Sequence, residues 1–247
     1  NTATDIITLD GLVYNTDSTQ TYTAESGFSI DLKPGDASNK TIDFITTNDT
    51  VAFATAGVSL YGDSTHTIDT GTGIGDVTFG GAIQSGDNSD DNNNDVLVIK
   101  SGTGDVSITG TIGLAVDSEL GGLKINAGET ADSSDDKDGN ITISAAIGGA
   151  PTGDNDEPGV IGITKIGNDA TADLNFGGAL YSFDGATTIT AASGNTIDVG
   201  VDAEFSTVDD SLTFATGTIE LANAVDLTVN SSGGAITIDS IAGTTNG

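Results

Sequence analysis

The chain has 247 residues, 37 of them Asp or Glu against 6 Lys and Arg, with a formal net charge of −31 and no Cys, Met or Trp. Such self-repelling acidity excludes nucleic acid and anionic membrane as default partners, and without Cys the fold rests on packing and hydrogen bonds alone. No stretch approaches the roughly 20 apolar residues of a membrane helix, and a chain that opens on Asn1 without any Met reads as processed or as a fragment.

From the N-terminus, Ile7-Thr-Leu-Asp-Gly-Leu-Val-Tyr14 and Thr21-Tyr-Thr-Ala-Glu-Ser-Gly-Phe-Ser-Ile-Asp-Leu32 set the pattern of short alternating strands broken by Gly. A second pattern then begins. Gly75-Asp-Val-Thr-Phe79, Gly104-Asp-Val-Ser-Ile108, Gly139-Asn-Ile-Thr-Ile143, Ala172-Asp-Leu-Asn-Phe176, Gly217-Thr-Ile-Glu-Leu221 and Gly234-Ala-Ile-Thr-Ile238 share one form: small, polar, apolar, polar, apolar. The two apolar residues lie at period two, so they share one face of a strand while the Thr or Ser between them faces the other way. Small residues follow, as in Gly80-Gly81-Ala82, and suit a chain turning a tight corner against another copy of itself. Strands such as Leu97-Val-Ile-Lys100 and Leu123-Lys-Ile125 precede the motif, and no window shows helical spacing over three turns.

At Leu174 the opening returns. Residues 7 to 32 match 174 to 199 without a gap at an offset of 167, sharing Gly11/Gly178, Tyr14/Tyr181, Ser26/Ser193 and Asp31/Asp198 among others. Val51-Ala-Phe-Ala-Thr55 then matches Leu212-Thr-Phe-Ala-Thr216 at 161, and Gly75 to Phe79 matches Gly234 to Ile238 at 159. Residues 1–247 thus read as one continuous array of about one and a half copies of a ~160-residue unit. In it 6–83 is equivalent to 173–243, and 84–172 is the other part. The match places Phe53 and Phe214 in equivalent inward positions, and likewise Tyr14 and Tyr181.

The expected class is all-β, and within it a parallel β-helix, or β-solenoid. A tandem β-sandwich of the kind found in surface adhesins is the alternative. Eight Phe and four Tyr are little aromatic mass for a sandwich core of this length, whereas stacked coils need only ladders of Val, Ile, Leu and Ala.

The acid-rich stretches fall between strands: Gly86 to Asp95, Glu129 to Gly139 and Gly153 to Gly159 carry 12 of the 37 carboxylates. Ordinary solvated turns account for them. A Ca²⁺ site is the sharper reading, because Ca²⁺ takes six to eight oxygens and Asp, Asn and Gly-enabled turns supply them. Asp136-Lys-Asp138-Gly139-Asn140-Ile141 is the best candidate, with Asp132 and Asp135 as further ligands. Asp87, Asp91 and Asp95, and Asp154 and Asp156, belong to the other two stretches. It is not an EF-hand, since Ser134 and Ala145 stand where that loop carries carboxylates.

Catalytic constellations are lacking. The single histidine, His66 in Ser64-Thr-His-Thr-Ile68, reads as an outward neutral side chain. The six cations are scattered Lys (33, 40, 100, 124, 137, 165), without the Arg that a lyase would use on an acidic sugar, and Trp platforms for a glycosidase are missing. A carbohydrate-binding or carbohydrate-cleaving β-helix is the rival to a structural role.

The succession Leu-x-Ile-x-x-Gly, Gly-Asp-Val-Thr-Phe-x-Gly, Ile-Gly-Gly and Leu120-Gly-Gly-Leu-Lys-Ile125, with Tyr22-Thr-Ala-Glu-Ser-Gly27, resembles the repeats of giant bacterial β-helix surface proteins of the filamentous haemagglutinin adhesin type. The resemblance implies a right-handed parallel β-helix shaft, extracellular or on the cell surface. It implies no catalytic residues. The chain is therefore expected to be a non-enzymatic structural or adhesive segment of a giant surface protein or filament. Its expected partners are head-to-tail copies of itself, with surface glycans as the alternative and no membrane insertion.

Overall fold

The computed structural model describes residues 6–25, 27–35, 40–86, 94–115, 117–127, 138–149 and 158–243. These form twenty-five strands and no helix. All pairings are parallel, and successive strands pass to successive walls of a three-sided coil, so that each strand pairs with its counterpart one turn earlier and one turn later. The parallel β-solenoid expected from the motif spacing is what forms, with about eight turns; the sandwich is not.

Wall I begins at Ile7–Leu9, wall II at Val13–Thr16 and wall III at Gln20–Tyr22. Walls II and III each stack nine strands in unbroken chain order, ending at Ile236–Ile238 and Ile241–Gly243. Wall I stacks four strands up to Ile83–Ser85 and three from Leu180–Phe183 on. The single bridges Ile83 to Ile112, Ile112 to Ile147 and Ile147 to Tyr181 carry it across the gap.

The period-two pattern explains the core. In wall III, Val77, Val106, Ile141, Leu174 and Ile197 stack in register as one inward column, and Phe79, Ile108, Ile143, Phe176 and Val199 as a second; all ten are buried. The residues between them, Thr78, Ser107, Thr142, Asn175 and Asp198, form an outward polar column. Burying one such apolar side chain contributes about 1.5–3 kcal/mol, and parallel stacking repeats that contribution at every turn.

The small residue that opens the motif has a steric cause. A Cβ on Gly104 would lie 2.2 Å from the carbonyl oxygen of Gly75, and one on Gly139 would lie 2.2 Å from that of Gly104. At this corner each coil passes so close over the last that backbone touches backbone. The polar residue beside it closes the contact: Asp76 Oδ1 accepts from the Asp105 amide at 2.9 Å, Asp105 Oδ1 from the Asn140 amide at 2.8 Å, Asn140 Oδ1 from the Asp173 amide at 3.2 Å and Asp173 Oδ1 from the Thr196 amide at 2.9 Å.

The pairings of the first ten strands recur in the last ten. Ile7 pairs with Ile30 as Leu174 pairs with Ile197, Tyr14 with Phe44 as Tyr181 with Phe205, and Tyr22 with Phe53 as Ile189 with Phe214. Phe53 and Phe214 are both fully buried; Tyr181 is buried and Tyr14 half-buried. The walls differ, however, with Tyr14 on wall II and Tyr181 on wall I, Phe53 on wall III and Phe214 on wall II. Seven wall segments separate the two sets. Seven and ten together are not a multiple of three, so the second set is turned by one wall.

Candidate functional site

Three kinds of polar position stand out: the acid-rich stretches, a buried polar column at the corner between walls II and III, and the tyrosine corners. The acid-rich stretches fall between described elements at three places in the chain. Residues 87–93 lie between Ile83–Ser85 and Val96–Lys100, residues 128–137 between Gly122–Ile125 and Ile141–Ile143, and residues 150–157 between Ile147 and Val160. Asp87, Asp91, Asp132, Asp135, Asp136, Asp154 and Asp156 lie outside the described residues. Among the described residues no three His, Asp or Glu side chains converge as a metal site would require.

Asp95 and Asp138 are described, and both turn inward. Asp95 is fully buried. Its Oδ1 accepts from the Ser64 amide at 3.0 Å and lies 3.4 Å from His66 Nε2, and its Oδ2 accepts from Ser85 Oγ at 3.0 Å. The imidazole is also fully buried, against the expectation of an outward side chain. The reason is the strand's own alternation: His66 and Ile68 share a face, and His66 takes the inward place held by Ile42 one coil before and Leu97 one coil after. Asp95 partners one nitrogen of the buried imidazole, while Nδ1 has no hydrogen-bond partner among the described residues. Ser85, Asp95 and His66 have the residue types of a hydrolytic triad but not its order, because the hydroxyl donates to the carboxylate and the imidazole does not touch it.

Asp138 closes the corner column. Thr70 Oγ1 donates to the carbonyl of Gly75 at 2.6 Å, and Ser101 Oγ to that of Gly104 at 2.8 Å. Asn126 Oδ1 accepts from the Ser101 amide at 2.9 Å. Asn168 Nδ2 donates to the Asn126 carbonyl at 2.6 Å and to Asp138 Oδ2 at 2.7 Å. Asp138 is thereby pinned to the following coil, its Oδ2 engaged by Asn168. Farther along, burial and then the carboxylates of Asp210 and Asp209 push Asp184 above its ordinary range.

The tyrosine corners were not singled out as sites by sequence reasoning, although Gly11-x-x-Tyr14 and Gly178-x-x-Tyr181 are identical at both positions in the internal match. In each the hydroxyl reaches back to the glycine amide, at 2.8 Å for Tyr14 and 2.6 Å for Tyr181. Tyr181 also donates to the Ile143 carbonyl of the preceding coil at 3.2 Å. Each ring stacks on a Phe of the next coil, Tyr14 on Phe44 with centroids 5.0 Å apart and Tyr181 on Phe205 at 4.5 Å.

Comparison with protein families, with curated proteins and with solved structures finds no match.

Burial pushes the Tyr181 hydroxyl up to about 12, the Gly178 amide pulling the other way; burial and then Tyr14 push Tyr22 up to about 12. An unfolded tyrosine ionises near 10. Between pH 10 and 12 the unfolded chain therefore releases protons that the native chain keeps, so the contribution to stability is full below pH 10 and is lost as pH rises. Urea midpoints should fall over that window, and less steeply in Tyr181→Phe. Equal slopes in the two proteins would contradict the assignment.

Proposed function

We propose that the chain is a non-enzymatic structural segment of a giant repetitive extracellular or cell-surface protein, or of a filament, in which it forms a stiff acidic shaft that carries or spaces adhesive parts. The observation that carries this reading is the recurrence of strand pairings within one unbroken solenoid. The sequence of residues 7–32 returns at 174–199 with the same partners one coil on, and a coil whose own sequence and pairing recur lends itself to lengthening by repetition. The polar residues fit the same purpose. Asp76, Asp105, Asn140 and Asp173 join coil to coil, and Asp95 and Asp138 do the same from buried positions. Filamentous haemagglutinin-type shafts, which the repeats resemble, offer a functional parallel. Gold-labelled antibody against the chain, applied to intact producing cells, should decorate surface projections. Label found only after permeabilisation would overturn the proposal.

Calcium belongs to this reading at the acid-rich stretches, with Asp132, Asp135, Asp136 and Asp138 as the first candidate set, Asp87 and Asp91 as a second and Asp154 and Asp156 as a third; Asp95, buried with both oxygens engaged, is set aside as a ligand. A net charge of −31 favours cation uptake. Scanning calorimetry should show a higher melting temperature in millimolar Ca²⁺ than in excess chelator. Identical melting would remove calcium from the account and leave the stretches as solvated turns.

A further inference from the structure

Wall II changes character part-way along the molecule. Its strands Thr41–Thr46 and Thr65–Asp69 carry Asp43 and Asp69 outward, but from Val96–Lys100 on no Asp or Glu stands in any strand of this wall. Three of the chain's six lysines stand there instead, Lys100, Lys124 and Lys165. Lys100 is paired in register with Asp69. Lys124 is paired with Lys165, and the next residues of that column on either side are Val98 and Thr188. Paired strands lie about 4.8 Å apart, and like charges on directly paired positions oppose folding. Neither ammonium has a carboxylate within ion-pair distance among the described residues. The pair is open to a partner: Lys124 is half-buried, Lys165 is exposed, and Ile163, two residues before Lys165, is 55% exposed.

An anionic surface with the same step matches that pair, and the molecule itself carries one. Asp76, Asp105, Asn140 and Asp173 follow one another coil by coil where the chain enters wall III, each with Oδ1 fixed on the amide of the next coil. The Oδ2 atoms of Asp76, Asp105 and Asp173 make no hydrogen bond among the described residues, and Asp76 and Asp105 are exposed. One strand step sets the spacing of these aspartates and of the two lysines alike. Among the described residues no lysine of the same chain lies within ion-pair distance of this ridge.

We propose that the outer face of wall II around Lys124 and Lys165 is a lateral docking surface for the aspartate ridge of a second copy of this chain, lying side by side with the first. Asp76 and Asp105 stand on adjacent coils, as Lys124 and Lys165 do, so the two ammonium groups of one copy meet the two free Oδ2 atoms of the other. At about 0.15 M salt the Debye length is about 8 Å, which screens the net charges of the two copies from each other while leaving contacting pairs attractive. The contact adds a lateral partner to the shaft proposed above and does not rest on its location.

Sedimentation equilibrium of the intact chain at that salt tests it, with each variant first shown to keep the wild-type β spectrum by circular dichroism. The wild type should associate, and the double variant Lys124→Gln, Lys165→Gln should associate about tenfold more weakly, the worth of two surface ion pairs. The double variant Asp76→Asn, Asp105→Asn should lose as much while keeping the bonds between coils, because Asn140 already makes that bond in the same column. Mixed together, the two double variants should associate more tightly than either does alone, one supplying the lysines and the other the ridge. A mixture no tighter than its components would overturn the pairing of lysines with aspartates, and variants that associate like the wild type would overturn the face. A wild type that stays monomeric throughout would overturn the second copy as occupant, whereas the surface-shaft reading would still stand or fall on the antibody labelling.

Discussion

Everything in this molecule depends on the parallel hydrogen-bonded contact between one coil and the next. Strands of three to six residues are too short to be stable as isolated pairs, and here each is held on both sides by equivalents one turn away. Close stacking brings identical positions into columns, so the choice of residue at one position in a coil is judged against the same position in its neighbours. That is why Gly75, Gly104 and Gly139 stack where a Cβ would strike backbone. It is also why Asp76, Asp105, Asn140 and Asp173 follow them, each capping the amide of the next coil.

The same constraint decides where polarity is tolerated inside. A hydroxyl or amide in the column between walls II and III is cheap because its partner is a neighbouring corner carbonyl, always at hand in stacked coils. A polar ring in mid-strand needs a dedicated partner instead, and Asp95, just before Val96–Lys100, provides it to His66 Nε2. The two aromatic nests, Tyr14, Tyr22, Phe44, Phe53 and Phe79 in one and Phe176, Tyr181, Phe205 and Phe214 in the other, are separated by coils whose inward residues are mainly Val, Leu and Ile. With few aromatics in the chain, they are concentrated where the repeated strands lie.

Much of the fold was legible beforehand. The small-polar-apolar-polar-apolar motif named wall III strands such as Val77–Phe79, Val106–Ile108, Ile141–Ile143 and Leu174–Phe176 correctly, because a period-two pattern beside a residue kept small by the neighbouring coil has few other solutions. The turn by one wall between Tyr14 and Tyr181 was not legible, since linear matching carries pairing order but no information on how many wall segments intervene. His66 could have been placed inside from its alternation with Ile68; its Thr neighbours suggested a solvent face, and the partner that makes burial possible, Asp95, lies 29 residues away. Of the candidate metal ligands, Asp95 and Asp138 were legible as acids between strands but not as buried structural acceptors, because the hydrogen bonds that fix them come from other coils.

The central claim is that coils add along one axis at a constant step. The chain has no cysteine, so pairs introduced at outward positions of wall III can carry spin labels without background. Thr21 is two strands from Thr78 in that wall, and Glu220 is seven strands from Thr21. At about 4.8 Å per strand, double electron–electron resonance should give a Thr78–Glu220 backbone separation near 24 Å and a Thr21–Glu220 separation near 34 Å, with intermediate pairs on the same line. Separations that fail to grow with the number of strands between the labels would contradict the solenoid itself.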